Sequence, residues 1–261
     1  MSQFVEYFKQ AELSLAAYAK NLISGGAPEL AKLEAAEFST TQAEAFILKY
    51  RVVTQHTDAT GLSATVFADN VTGETFLAVR GTELTDIRDF ATGVFDIMLF
   101  GSTQLHPQYD SLKAKVTEWL GNGTLPPAFA VTGHSMGGFL AVGLVDDPAF
   151  ANHVSHAYLY NAPGLGGFAG SLINTVLDWM GLAPVYDQSK ISNIEAAIGA
   201  NPIAGLGFDA APPIGIIIED QIQISGSPPS KNHSQQALID ASGTAEDSIS
   251  RSDTPEWRFA A

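Results

Sequence analysis

Hydrophobic positions along this chain change rhythm. Over residues 3–23, Phe4, Val5, Phe8, Leu13, Leu15, Tyr18 and Leu22 fall at roughly helical spacing, which predicts one or two amphipathic helices stopped by Gly25-Gly26. Further helices are expected over 28–36 and 40–50. Together these elements, filling residues 1–45 and a little beyond, read as flanking helices that do no chemistry. The rhythm then shortens to that of strands. Residues 50–57 are rich in β-formers, 62–69 alternate, Asn70-Val71-Thr72-Gly73 reads as a turn, and 75–80 form an apolar run expected to be a buried strand. His56 falls in the first of these strands and reads as a surface or edge residue.

Past residue 82 the two rhythms alternate. Leu84, Ile87, Phe90, Val94 and Met98 make an apolar stripe over 83–101, interrupted by Asp86, Asp89 and Asp96. Such a stripe predicts a core-facing helix or, alternatively, a lid over an apolar pocket. A helix over 104–120 carries Tyr109, Leu112, Val116, Trp119 and Leu120 on its apolar face and ends at Gly121-Asn122-Gly123. Then come a strand to His134, a helix broken at Asp146-Asp147-Pro148, and a strand over 156–160. Residues 165–186 are apolar and glycine-spaced and read as a helix near a pocket mouth. A strand over 191–198, a loop over 201–213 and one or two strands over 214–224 follow. The loop 225–232 leads to His233 and a last helix, and the polar tail over 243–261 is expected to be loosely held. Alternating strands and helices predict an α/β domain with a mostly parallel central sheet flanked by helices. With neither repeats nor a low-complexity linker, one domain over 1–261 is the economical reading.

Composition narrows the class. Thirteen Lys and Arg against 28 Asp and Glu give a net charge of −15, and Lys190 is the only Lys or Arg between Val116 and Ser230. There is no basic patch for nucleic acid or anionic lipid headgroups. The absence of cysteine rules out disulfides, thiol catalysis and cysteine-based zinc sites. Residues 1–22 have no basic stretch leading into an apolar core, so no cleavable leader is expected, and no apolar run is long enough to span a bilayer. The expectation is a soluble protein, either cytoplasmic or exported without a cleaved leader.

Candidate chemistry centres on Gly133-His134-Ser135-Met136-Gly137, set between the strand ending at His134 and an apolar helix. Gly-x-Ser-x-Gly between strand and helix is the nucleophile elbow of α/β-hydrolases. The turn is sharp, the glycines leave room for backbone to pass, and the helix directs its free N–H groups and positive end at the serine. Ser135 then needs a base, which in this fold follows an acid in the chain. His153 and His156 come after the elbow helix, at the far end of the sheet, on the order of 15 Å away for ten residues of helical rise. His233 lies in a loop returning to the active-site face and is the expected base. His134 is expected to make local contacts, and His106 to be structural. Arg80-Gly81-Thr82, at the end of the third strand, stands where the second oxyanion donor belongs, so Thr82 is the candidate.

These residues resemble a known family. Phe76-Leu77-Ala78-Val79-Arg80-Gly81-Thr82 followed by Asp86-Ile87-Arg88-Asp89-Phe90 is similar to the F-R-G-T…D-W stretch of class 3 (fungal-type) lipases. Gly133-His134-Ser135-Met136-Gly137-Gly138 is similar to their G-H-S-L-G-G, and Tyr160-Asn161-Ala162-Pro163-Gly164 to their F-G-x-P-x-V-G. The resemblance covers residues 60–240. It implies a triacylglycerol or phospholipid ester hydrolase with a helical lid, and an oxyanion hole formed by Thr82 and the Met136 N–H. It also implies a catalytic acid after the strand over 191–198, where this chain reads Ala200-Asn201-Pro202-Ile203. Phe90 stands in place of the lid tryptophan, and the absent cysteines together with the apolar mouth suggest a bacterial relative.

The expectation is therefore a serine carboxylester hydrolase cleaving lipid esters such as triacylglycerol, with no cofactor and no metal. Alternatives are a phospholipase A1, a polyester-active esterase and, from another class, an inactive binding module on the same fold. Asn201 is the expected third member of the triad. Asp209 is a compensating acid in the same loop, and Glu195 reads as a mid-strand residue pointing into a packed face.

Overall fold

The computed structural model describes residues 3–81, 107–164, 187–196, 209–216 and residue 239. Thr82, the stripe over 83–101, His106, the segment over 165–186, Asn201, His233 and the tail over 243–261 lie outside the described residues. Three helices open the chain: α1 (Gln3–Ala16), α2 (Leu30–Glu34) and α3 (Thr40–Lys49). β1 (Tyr50–Thr57), β2 (Ser63–Asp69) and β3 (Thr75–Val79) follow, then α4 (Pro107–Gly121), β4 (Phe129–His134) and α5 (Met136–Asp146). β5 (Val154–Tyr160), β6 (Ile191–Ala196) and β7 (Pro213–Ile216) are the remaining strands among the described residues.

Strands β1 to β7 lie side by side in chain order. β1, β2 and β3 pair antiparallel because short turns join them, whereas β3 to β7 run parallel, which requires crossovers. The β4–β5 crossover contains α5, whose apolar run from Met136 to Val145 is buried on all sides. This is the mostly parallel, helix-flanked α/β sheet that the alternating rhythm predicts.

Alternate strand residues feed two cores. On one face Leu77, Val79, Val131 and Leu159 pack with Tyr109, Leu112 and Val116 of α4 and with Phe139 and Leu140 of α5. The Tyr109 hydroxyl donates to Gly143 O at 2.8 Å, tying α4 to α5. On the other face Phe76, Ala78, Tyr160 and Ile194 pack with Tyr7, Ala11 and Leu15 of α1 and Phe46 of α3.

Of the N-terminal helices, α1 packs on one face of the sheet, across β3, β4 and β5. The Thr132 hydroxyl donates to Gln10 O at 3.0 Å, and the buried Tyr160 hydroxyl donates to Tyr7 O at 2.5 Å. Lys9 is buried with its ammonium 4.3 Å from the centre of the Phe76 ring and 3.3 Å from Glu6 and Glu74 carboxylates. α3 stays at the sheet's edge, started by a capping box in which Ser39 and Gln42 satisfy each other's backbone N–H groups.

Candidate active site

The sharpest backbone feature of the described chain is at Ser135. It lies between β4 and α5 with φ 55° and ψ −127°, a conformation that costs a residue with a Cβ about 1–3 kcal/mol. Its surroundings hold it there. The Ser135 N–H donates to Tyr160 O at 2.9 Å, and Ser135 O accepts from the N–H groups of Gly138 at 3.0 Å and Phe139 at 3.2 Å. Ser135 is 5% exposed.

The glycines of the motif are required by close backbone approach. A Cβ on Gly137 would stand 2.1 Å from Val79 O, so α5 starts against the end of β3. A Cβ on Gly133 would stand 2.4 Å from Gly137 C. Gly81 closes the other side: a Cβ there would lie 2.5 Å from His134 O, 2.5 Å from the Tyr18 hydroxyl and 3.0 Å from Ser135 Cβ. The residue preceding Thr82 thus touches the serine. Met136 is the first residue of α5, and the N–H at such a position has no partner within its own helix.

His134 behaves as the sequence leads one to expect, through local contact. Its Nδ1 lies 2.8 Å from the Tyr18 hydroxyl, just beyond α1. Tyr18 is the site residue that sequence reasoning missed, since a tyrosine in an amphipathic stripe looks like core. His153 and His156 are where their place in the chain puts them, at the amino end of β5 and away from Ser135. His153 Nδ1 meets Pro127 O at 2.6 Å, and His156 Nε2 meets Ser192 Oγ at 2.9 Å. Burial pushes the His156 imidazole below its usual range. His56, in the outermost strand β1, is 3.4 Å from an Asp58 carboxylate oxygen.

Glu195 lies in β6 and is half-buried. Burial drives its carboxyl up to about 7, with the Asp209 charge adding to the effect and a hydrogen bond from Asn193 opposing it. Asp209, more exposed, is also shifted up by partial burial of its carboxyl. Among the described residues, no cluster of three or more His, Asp or Glu side chains could hold a metal ion. Among them, too, no helix is long and apolar enough to cross a membrane.

A serine in this strained conformation, between a parallel strand and a helix at the carboxyl edge of the sheet, defines the α/β-hydrolase fold. No protein-family model and no curated protein matches the sequence. Solved structures do. The chain is similar to the Lip2 lipase of Yarrowia lipolytica (17% identity, TM-score 0.43), over 74% of this chain and 71% of that one. It is similar to the Rhizomucor miehei lipase in its propeptide complex (16%, TM-score 0.47), over 85% and 71%. It is also similar to a triacylglycerol lipase of Penicillium expansum (17%, TM-score 0.42), over 75% and 71%. The chemical reading rests on the elbow itself.

Proposed function

We propose that this protein is a serine carboxylester hydrolase. The observation that carries the reading is the backbone of Ser135, strained at φ 55° and held by hydrogen bonds from β5 and α5. Strain of this kind persists only where the surrounding structure over-determines it, and it gathers at sites of chemistry. In the proposed reaction Ser135 Oγ attacks the ester carbonyl while His233 takes its proton. The N–H groups of Met136 and Thr82 hold the tetrahedral oxyanion. His233 then protonates the leaving alcohol. Water, activated by the same base, attacks the acyl-serine and releases the acid, and the proton returns to Ser135. No step calls for a metal or a cofactor.

Lipid esters are the proposed substrates. The apolar stretches over 84–100 and 165–180 follow the oxyanion strand and the Asn161-Ala162-Pro163-Gly164 turn in the chain, and their composition suits a long acyl chain. Triacylglycerol at a lipid–water interface is the favoured case. The test is turnover of a series of esters of rising acyl length, with phospholipid and polyester substrates alongside and Ser135→Ala as control. Long-chain glycerides are expected to be cleaved fastest. Preference for phospholipid or polyester moves the protein to one of those classes, and wild-type-like turnover by Ser135→Ala removes the reading altogether.

A further inference from the structure

The α1 side of the sheet holds the elbow at three points. Thr132 and His134 flank Gly133, and both reach toward the amino-terminal segment. The Thr132 hydroxyl donates to Gln10 O at 3.0 Å, and His134 Nδ1 lies 2.8 Å from the Tyr18 hydroxyl. Tyr160 is the third point: its carbonyl accepts the Ser135 N–H at 2.9 Å while its hydroxyl donates to Tyr7 O at 2.5 Å. Two of these bonds end on backbone carbonyls of α1 and serve to dock it. The third ends on a side chain, the Tyr18 phenol, beyond the last residue of the helix.

The backbone that carries Tyr18 is itself fixed. Tight turns follow α1, in which the Tyr18 N–H donates to Leu15 O at 3.0 Å and the Ala19 N–H to Ala16 O at 3.1 Å. Gln55 of β1 grips the segment with both ends of its amide. Its Nε2 donates to Ala19 O at 2.8 Å, and its Oε1 accepts the Leu22 N–H at 2.9 Å. From this anchored backbone the ring brings its hydroxyl to the place where the chain leaves β3 beside the elbow. A Cβ on Gly81 would meet three atoms there: His134 O and the Tyr18 hydroxyl at 2.5 Å each, and Ser135 Cβ at 3.0 Å. The phenol and the serine are thus packed on the same glycine. A phenylalanine would fill the ring's volume, so packing alone does not call for the hydroxyl.

We propose that Tyr18 is a positioning residue for the hydrolytic reaction: its hydroxyl, bonded to His134, sets how closely Gly81 approaches Ser135. The proposal rests on the serine hydrolase reading above. The bond forms with either tautomer of His134, because a phenol both donates and accepts. It fixes the phenol oxygen against the last residue of β4, and the phenol oxygen in turn limits the approach of Gly81. Without the hydroxyl, the wall beside Ser135 is free to shift. A misplacement of about 1 Å near reacting atoms can cost up to about 10²-fold in rate, so a small shift is felt in turnover before it is felt in substrate binding.

The experiment measures kcat and KM for the full chain and for Tyr18→Phe, His134→Leu, the double variant and His134→Asn. Each is also titrated with an alkylboronic acid, which forms a tetrahedral adduct with a reactive serine, and with a non-hydrolysable ether analogue of the ester. Tyr18→Phe is expected to lower kcat by on the order of 10-fold, with KM and ether binding within about twofold of wild type. Boronate affinity is expected to fall by about the same factor as kcat, as it does when an interaction favours the transition state. His134→Leu is expected to behave alike, and the double variant to be no slower than either single one, since all three remove the same bond. His134→Asn offers an amide near the place of Nδ1 and is expected to restore turnover to within about threefold of wild type. Folded Tyr18→Phe with kcat and boronate affinity both unchanged overturns the proposal. Losses that multiply in the double variant overturn it too, as does an equal loss of boronate and ether binding, which marks a general loosening. If the wild type forms no boronate adduct and takes no fluorophosphonate at Ser135, the hydrolase reading itself has failed, and the two failures are told apart.

Discussion

The hydroxyl of Tyr18 lies 2.8 Å from Nδ1 of His134, the residue before the strained Ser135. The same hydroxyl is packed so tightly on Gly81 that a methyl group there would stand 2.5 Å from it. One phenol from the segment after α1 thus meets both the elbow and the end of β3, where the proposed oxyanion loop begins. Tyr18→Phe keeps the ring and deletes the bond. We expect a stability loss of about 1 kcal/mol, the usual net worth of an intramolecular hydrogen bond. We also expect a fall in kcat larger than any change in KM. An unchanged urea midpoint together with unchanged kcat would show that the contact does nothing.

Gly81 is a sharper probe of the oxyanion side. Its missing Cβ would collide with His134 O and the Tyr18 hydroxyl at 2.5 Å each. Gly81→Ala must push the end of β3 away from Ser135 and carry residue 82 with it. Removing one oxyanion donor costs on the order of 10²–10³-fold in kcat, and a displaced donor should cost a similar amount. The measurement is steady-state ester hydrolysis by variant protein whose circular dichroism matches the wild type. Full activity in such a folded variant would remove residue 82 from the oxyanion hole.

Asp58 gives a prediction about stability alone. Burial tends to raise its carboxyl, but hydrogen bonds from Ser111, Thr60 and His56 prevail and hold it at about 2. Through Ser111 it ties the β1–β2 turn to α4. A carboxyl depressed on folding stabilises above its unfolded value, near 4, and loses that contribution as pH falls toward 2. Asp58→Ala is expected to cost about 2 kcal/mol at neutral pH. The gap to wild type should close between pH 4 and pH 2 in urea titrations. A gap of constant size across that range would contradict the account.

The stripe Leu84, Ile87, Phe90, Val94 and Met98 carries the lid expectation. If it covers the pocket in water, opening exposes apolar surface that a lipid interface would cover again. Turnover should then rise steeply once substrate passes its solubility limit. A smooth hyperbola through that limit leaves a core helix and no lid.

The elbow was legible in the sequence because everything it needs is local: two glycines at fixed offsets, an apolar strand before and an apolar helix after. The mostly parallel, helix-flanked sheet was equally legible, since alternating strand and helix rhythms call for it. α1 was harder. An amphipathic stripe says that one face is buried but not against what, and the stripe of α1 hides the buried Lys9, Gln10 and Glu12 that accompany it onto the central strands. Tyr18 was lost for the same reason, counted as one more apolar position.

The central claim is that Ser135 is a nucleophile held in readiness by its own backbone. Its most direct test is covalent labelling with a fluorophosphonate, read by mass spectrometry of the tryptic peptides. The account predicts one equivalent of phosphonate on the peptide containing Ser135, loss of ester turnover in proportion, and no label in Ser135→Ala. Folded wild-type protein that takes up no label, or that labels equally well as Ser135→Ala, would contradict it.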